Sequence, residues 1–297
     1  MGGDRMSNEI HVRRLSVLAA VVAVLAGCAT APDIASRTPP LTASFSTTPG
    51  AAPPVAAELV PEDAWPRADV VEVPRDLAAL GSTAKRKRAF VDFMLPLVLG
   101  ENERILEERA RLLRLVDRVR RGAPAAAGEW AWLEALRVAY KAPPGDLAAL
   151  VRRVDEVPPS LALAQAAEES GWGTSRFART GNAVFGQRTW TRGAGMVPLR
   201  RADGEKYEVK VFAAPVDSVR AYMRNLNTHP AYAEFRAARR DMRVRGEPLD
   251  GYRLALALAG YSERRQAYVE SIRAIIRVNR LSRFDGLART VQADADD

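Results

Sequence analysis

The chain has 297 residues, 47% hydrophobic and 27% charged, which is enough for one or two domains with a core and excludes overall disorder. Its formal net charge of +8 indicates an anionic surrounding surface or polymer. Nucleic acid is not expected as the partner. The arginines are scattered along predicted helices, and we find no zinc-ligand spacing, phosphate loop or aromatic-basic RNA signature.

Residues 1–27 have the features of a lipoprotein signal peptide. Arg13 and Arg14 precede an apolar run, Leu15 to Gly27, that suits a secretory signal better than a membrane span. The run ends in a Leu-Ala-Gly-Cys sequence that looks like a lipobox, and Cys28 is the only cysteine. We therefore expect a lipid anchor at Cys28 and no internal disulfide. An ordinary signal peptide with a chance cysteine is the alternative.

Ala29 follows the cysteine where an aspartate would stand in an inner-membrane lipoprotein, which by analogy implies an outer-membrane lipoprotein facing the periplasm. The next residues, up to about 80, are rich in Pro, Ala, Ser and Thr and lack apolar periodicity. Residues 28–80 are therefore predicted to be a disordered tether that carries a domain away from a membrane.

Residues 81–157 are predicted to be a helical leader with a scaffold role. Helical periodicity begins near Ser82, and Pro96 is expected to kink a helix or start the next one, which gives two packed helices. Alternating Glu and Arg residues from 101 to 121 indicate a solvated face. Two short helices follow, Glu129 to Tyr140 and Asp146 to Val157, the second with Asp146 as its N-cap.

A short buried helix follows Pro158 and is rich in Ala and Leu. Ser160 is predicted as its N-cap, and Gly171 ends it. Glu168 and Glu169 then fall in its last turn beside apolar neighbours, where a carboxyl has a raised pKa and suits a general acid. The two side chains lie about 100° apart, and periodicity does not choose between them. Either one, or both, can also be a solvated residue at a helix end.

A small β-hairpin is predicted after this helix, as one wall of a cleft. Lys206 to Phe212 alternates between apolar and charged residues, with Glu208 on the charged face. Helices resume at Asp217 and run to Asn279, with a break at His229, and residues 281–297 are predicted to be a disordered tail. In the helix from 249 to 260 the residues predicted to face inward are Leu254, Leu256 and Leu258. With two histidines in the chain, no metal or cofactor is expected.

The stretch around Glu169 resembles the signature of the Bax-like glucosaminidases, relatives of glycoside hydrolase family 73, and the resemblance runs from about Lys85 to Asn279. It implies a mainly α (α+β), lysozyme-like helical catalytic domain, residues 158–280, with the small β-hairpin lobe and the helical leader before it. It also selects Glu169 over Glu168 as the catalytic acid. The motifs that carry it are Glu169-Ser170-Gly171-Trp172-Gly173, Gly181-Asn182-Ala183-Val184-Phe185-Gly186, Asn225-Leu226-Asn227-Thr228-His229-Pro230 and Tyr261-Ser262-Glu263-Arg264.

The resemblance implies further site residues. Glu208 is the best match to a second acidic residue on the β-lobe, with Glu205 and Asp203 as alternatives, or it faces solvent. Tyr261 matches a tyrosine that lines the catalytic cleft, or it lies at the edge of the core. Apart from the resemblance, the candidate substrate-binding residues are Trp172, Phe185, Gln187 and Tyr232, with Trp190 as a further aromatic surface. Packing next to the helix is the alternative for Trp172.

The implied activity is hydrolysis of the β-1,4 bond after N-acetylglucosamine in peptidoglycan, by a monomer that acts on glycan strands. A lytic transglycosylase or muramidase is the alternative among enzymes. A lipoprotein that binds the cell wall without cleaving it is the alternative from another class.

Overall fold

The computed structural model describes residues 72–123, 125–199, 201 and 204–287. The predicted signal peptide, the predicted anchor at Cys28, most of the tether and residues 288–297 lie outside the described residues. Within these ranges the chain is mainly helical with one small antiparallel sheet, as predicted. The α-helices are α1 Thr83–Arg120, α2 Ala127–Ala139, α3 Leu147–Arg153, α4 Pro159–Ser170, α5 Arg176–Gly181, α6 Pro215–Thr228, α7 Ala233–Val244, α8 Gly251–Leu254 and α9 Gln266–Val278.

The first helix, α1, is one continuous element. It begins near Ser82, as predicted, and Ser82 is its N-cap, since the Ser82 hydroxyl accepts a hydrogen bond of 3.1 Å from the Lys85 backbone amide. The predicted break at Pro96 is wrong, because Pro96 lies inside the helix. All residues from Met94 to Leu99 are buried, and burial of each large apolar side chain stabilises the fold by about 1.5–3 kcal/mol. That burial exceeds the roughly 3 kcal/mol that a proline costs a helix interior.

The predicted leader shares its core with the catalytic part. The N-terminal half of α1 packs on α4 and α6, and its C-terminal half packs on α2 and α3 around Leu112 and Tyr140. Thus the predicted boundary at 157/158 does not separate two cores. As predicted, Asp146 caps α3, accepting a hydrogen bond of 2.7 Å from the Ala149 amide.

The helix α4 is held at its start by a residue from the far end of the described chain. Ser160 is its second residue, so the predicted cap is wrong. The Asp285 carboxylate accepts hydrogen bonds from the Ser160 amide at 2.8 Å, the Ser160 hydroxyl at 2.7 Å and the Gly251 amide at 3.0 Å. Leu281 is 1% exposed. Residues 281–287 therefore belong to the folded unit, and the predicted disordered tail begins too early.

The predicted tether also ends too late. Val73 and Leu77 are buried in the main core, and the Val73 amide donates to the Asn182 side chain at 3.2 Å. A Cβ on Gly173 would lie 2.8 Å from Leu77 Cδ1, so this segment packs directly on the turn after α4. Burial of these two apolar side chains attaches residues 72–80 to the domain.

The sheet has three short strands, where a single hairpin was predicted. They are β1 Arg188–Thr189, β2 Gly195–Met196 and β3 Glu208–Lys210, in the order β1-β3-β2 and antiparallel throughout. Val209 of the central strand lies opposite Arg188 on one side and Met196 on the other. The predicted alternation is wrong at Glu208, which is buried, and at Val211, which is 41% exposed.

The C-terminal helices follow the predicted order with one change. Thr228 ends α6 before His229, as predicted. The predicted helix 249–260 is instead α8 followed by a 3-10 helix, Ala255–Leu258. The 3.0-residue turn of a 3-10 helix rotates Leu256 outward, and it is 54% exposed. None of the helices in the described ranges is long and apolar enough to cross a lipid bilayer.

A buried ionic cluster joins α1, α7 and the segment before α4. The Asp155 carboxylate, 3% exposed, lies 2.8 Å from Arg243, 3.7 Å from Arg239 and 3.6 Å from Arg109. Arg109 falls within the predicted solvated face of α1 but is 15% exposed, so that prediction is wrong there. Burial alone would raise the pKa of Asp155, but the three guanidinium groups lower it to about 2.

We expect Asp155→Asn to lower the free energy of unfolding at pH 7 by about 3 kcal/mol, because it removes the carboxylate that pairs with Arg109 and Arg239, while Arg243 keeps its ion pair with Glu156 at 2.6 Å. The folded-state pKa lies below the unfolded one, so this stabilisation is complete above about pH 4 and is lost as the pH falls towards 2. Urea unfolding from pH 2 to 7 measures it. The control Asp241→Asn removes an ion pair in which both side chains are nearly half exposed, and should change the value by less than about 1 kcal/mol. Equal effects of both variants would contradict the prediction.

Candidate active site

Glu169 lies in the last turn of α4 and is partly buried. The helix ends where predicted, at Gly171, whose φ of 58° is in the left-handed region. The Ser170 hydroxyl donates to the Ala166 carbonyl at 2.6 Å and accepts from the Gly173 amide at 2.8 Å. These bonds turn the chain away directly after the carboxylate and fix the end of the helix on which it stands.

The two adjacent glutamates have different partners. Glu168 accepts hydrogen bonds from the Arg264 guanidinium and, at 3.0 Å, from the Ser271 hydroxyl of α9. Its negative charge is therefore balanced by an ion pair. Glu169 instead lies within hydrogen-bonding reach of the Tyr268 hydroxyl, which lowers its pKa. The two side chains differ in chemistry because they face different neighbours.

Four buried or partly buried tyrosines surround Glu169 within electrostatic reach of its charge. They come from α6, from the 3-10 helix after it, from the segment before α9 and from α9 itself: Tyr222, Tyr232, Tyr261 and Tyr268. The ring of Tyr261 stacks on that of Tyr268, with centroids 5.4 Å apart and planes 8° apart. Tyr232 and Tyr261 have centroids 5.8 Å apart. Residues that are distant in sequence therefore form one aromatic wall beside the carboxyl.

Burial raises the pKa of Glu169, and the charge of Glu168 adds to the effect, while the Tyr268 hydrogen bond and Arg264 oppose it. The net result is a raised pKa. Burial also raises the pKa of each surrounding tyrosine, and the nearby Glu169 charge adds to this. The phenols therefore stay neutral, and Glu169 has the environment of a general acid.

Sequence reasoning missed three polar residues behind this carboxyl. Gln165, one helical turn before Glu169, is fully buried and hydrogen-bonded to Tyr222 and Tyr268. Neither Tyr222 nor Tyr268 was predicted as a site residue. The signal that would have found Gln165 is a lone amide in an Ala and Leu helix, four residues from a candidate acid, because positions i and i+4 share a face.

A family model described as mannosyl-glycoprotein endo-beta-N-acetylglucosaminidase matches residues 145–281, the range that contains α4 and all four tyrosines. Protein bax of Escherichia coli strain K12 is 31% identical over 204 residues, which cover 65% of this chain and 69% of that protein. The chain belongs to the Bax-like glucosaminidase family. No solved structure matches it. Membership of the Bax-like family points to glycan hydrolysis as the class of activity.

The second predicted acid of this Bax-like chain, Glu208, is 7% exposed, so the solvent-facing alternative is wrong. Its carboxylate oxygens accept hydrogen bonds from the Gly193 amide at 3.1 Å and the Gly195 amide at 2.9 Å. These bonds hold the β1–β2 connection onto β3. A catalytic role for Glu208 stays a prediction. Of the alternatives, Glu205 is exposed and Asp203 lies outside the described residues.

Some of the predicted substrate-binding residues lie beside Glu169, and others lie between α6 and the loop after α5. Tyr232 lies in the aromatic wall beside Glu169, as does Tyr261. Phe185, 3% exposed, stacks on Tyr222 at 3.9 Å, and the Gln187 amide donates to the Ser218 carbonyl at 3.0 Å. Both therefore attach the loop after α5 to α6, and sugar binding by either one stays a prediction.

Trp172 follows α4 directly but turns towards α1. Its φ is 59°, its ring meets that of Phe90 edge to face at 5.8 Å, and the Lys87 ammonium lies 4.8 Å from its centroid. Trp190 is 72% exposed, on the segment after β1. In the described ranges no three His, Cys, Asp or Glu residues are grouped so that they would hold a metal ion.

We expect Glu169→Gln to raise the melting temperature at pH 7. The folded-state pKa of Glu169 is raised, so folding opposes its ionisation, and a neutral amide avoids that cost. The gain should shrink as the pH falls through the folded-state pKa and vanish below about pH 4, where both states hold the proton. Scanning calorimetry at several pH values measures it.

Glu168→Gln is the matched control, since it changes the neighbouring glutamate but removes its ion pair with Arg264 and leaves one acceptor oxygen for Arg264 and Ser271. We expect its melting temperature to be unchanged or lower at pH 7. A melting temperature of Glu169→Gln below that of the wild type at pH 7, rising relative to it in acid, would contradict the prediction.

Proposed function

We propose that the protein is a peptidoglycan hydrolase that cleaves the β-1,4 bond after N-acetylglucosamine, with Glu169 as the general acid. One observation carries the proposal: of two adjacent glutamates, Glu168 is neutralised by Arg264, while Glu169 lies partly buried among neutral phenols with a raised pKa. A carboxyl with a raised pKa holds its proton to higher pH and can deliver it to a leaving oxygen.

Cleavage also requires support for the positive charge that develops at the anomeric carbon. We infer three sources for this support: Glu208, a positioned water, or the acetamido group of the substrate. Each Glu208 oxygen accepts one amide hydrogen bond and keeps a further lone pair for a water. Tyr232 and Tyr261 supply aromatic faces for sugar rings beside the acid.

Removal of the acid tests the catalytic assignment. We expect purified full-length protein to clear a suspension of peptidoglycan, and Glu169→Gln to lower the rate by at least about 100-fold, which is what a general acid contributes. Glu168→Gln should keep most of the activity, because its partners are Arg264 and Ser271. Equal clearing by wild type and Glu169→Gln would refute the role of Glu169.

The chemical ends of the soluble products identify which glycosidic bond is cleaved. Mass spectrometry of the soluble fragments should show reducing N-acetylglucosamine ends. Anhydromuramic ends would identify a lytic transglycosylase, and reducing muramic ends a muramidase. Retention on peptidoglycan without any soluble product would instead identify a binding lipoprotein.

We propose further that the protein is an outer-membrane lipoprotein that faces the periplasm, anchored at Cys28. The support is the apolar run that ends in Leu-Ala-Gly-Cys and the absence of any other cysteine. Cells that are given labelled palmitate should yield labelled wild-type protein. Cys28→Ser should abolish the label and release the protein from the membrane fraction. Labelling of Cys28→Ser would rule out this anchor.

A further inference from the structure

A chain of three buried polar side chains leads to Glu169. The Tyr222 hydroxyl donates to Gln165 Oε1 at 2.6 Å, and Gln165 Nε2 donates to the Tyr268 hydroxyl at 2.9 Å. The Tyr268 hydroxyl lies in turn within hydrogen-bonding reach of the Glu169 carboxyl and lowers its pKa. None of the first three residues is more than 1% exposed, so water does not compete for these bonds.

The direction of each bond follows from a count of protons. Tyr222 uses its single hydroxyl proton on Gln165 Oε1, which leaves the amide NH₂ of Gln165 facing Tyr268. Tyr268 accepts that proton on its oxygen, so its own proton is free to point to Glu169. A reversed Gln165 amide would place its NH₂ against Tyr222 and remove the donor to Tyr268.

Packing fixes the rings that carry these hydroxyls. Phe185 stacks on Tyr222 with planes 5° apart, and Tyr261 stacks on Tyr268 with planes 8° apart. Gln165 itself stands on α4, one turn before Glu169, so the helix sets its distance from the acid. The donor to Glu169 is thus held in place before any substrate binds.

We propose that Tyr268, oriented by Gln165 and Tyr222, is a positioning residue that decides which carboxyl oxygen of Glu169 carries the acidic proton. One oxygen accepts from Tyr268, so the proton sits on the other oxygen and is delivered from there. In the cleavage step that proton goes to the glycosidic oxygen, and the bond from that oxygen to the anomeric carbon breaks with its electron pair left on the oxygen. The Tyr268 bond then stabilises the carboxylate that remains. The anomeric carbon then bonds to the oxygen of a water molecule, directly or after attack by the acetamido group of the substrate, and the proton that the water loses restores the acid. This inference rests on the proposed role of Glu169.

Several other groups also interact with the Glu169 carboxyl, and they act on it in the wild type and in the variants alike. Glu168 of α4 raises the pKa of Glu169, and Arg264, before α9, lowers it. The remaining titratable groups that interact with it are the hydroxyls of Tyr222, Tyr232 and Tyr261. The Tyr268 bond opposes the effect of burial, so its loss has a defined sign.

The test is Tyr268→Phe in the full-length protein. Without the donor, Glu169 becomes a weaker acid, so we expect its pKa to rise and the alkaline limb of the kcat profile to move to higher pH. We also expect kcat to fall by up to about 100-fold, the cost of a misplaced reacting group. The Glu169 pKa is read directly by NMR titration of ¹³C-labelled glutamate side chains, assigned by the signal that Glu169→Gln lacks.

Tyr140→Phe is the matched control, because it also removes a buried tyrosine hydroxyl that donates to a carboxylate. Tyr140 bonds Glu108 at 2.7 Å, in the second core cluster formed by α1, α2 and α3. This variant should lose stability without moving the Glu169 titration or the kcat profile. If Tyr268→Phe does not fold, Gln165→Met serves instead, since it frees the Tyr268 hydroxyl to turn away and should raise the same pKa.

The outcomes separate this inference from the proposed function. An unchanged Glu169 titration in both Tyr268→Phe and Gln165→Met overturns the positioning role, even if Glu169→Gln is inactive. Full activity of Glu169→Gln overturns the catalytic role, whatever the titration shows. A shift towards lower pH in Tyr268→Phe also contradicts the inference, because it would mean that Tyr268 stabilises the protonated carboxyl.

Discussion

The burial of α4 from Pro159 to Ala167 is the constraint on which the rest of the structure depends. Every residue from Pro159 to Ala167 is buried, among α1, α8 and α9. A polar group in this helix is stable only with a partner, because an unpaired buried one costs about 1–3 kcal/mol. Ser160 therefore meets Asp285, and Gln165 meets two tyrosines. The same burial reaches the last turn, where it makes ionisation of a carboxyl unfavourable.

Two glutamates at adjacent positions acquire different chemistry from this setting. The step of about 100° between them turns Glu168 towards Arg264 and Ser271, which balance its charge and fill its oxygens. Glu169 faces phenols, of which Tyr268 acts on it as a hydrogen-bond donor without supplying a positive charge. Division of labour between nearby carboxyls is set by environment in this way in other glycosidases. Here the helix geometry presents the two carboxyls to different neighbours.

Local signals in the sequence predicted most of the elements but few of the contacts. The start of α1 at Ser82, the end of α4 at Gly171 and the end of α6 before His229 depend on neighbouring residues, and all three are confirmed. Two predictions failed because they depend on contacts with distant residues. Core burial around Pro96 keeps α1 a single helix, and Asp285, not Ser160, accepts the hydrogen bond from a backbone amide at the start of α4. The hydrogen-bond partners of Glu208 could not be predicted either, since alternation along a strand does not reveal which backbone amides face a given side chain.

The candidate site is made from parts that are remote in sequence, and this ties its chemistry to the stability of the whole unit. Gln165 is 57 residues from Tyr222 and 103 from Tyr268, so their bonds form only when α4, α6 and α9 are packed together. Each of these bonds lies in a water-free interior, where a complete network is favourable and a broken one is costly. Loss of one tyrosine hydroxyl therefore leaves Gln165 without one of its hydrogen-bond partners, and it also raises the pKa of Glu169. Such a network rigidifies the core and orients the carboxyl by the same bonds, which is why the polar residues can persist inside an otherwise apolar helix bundle.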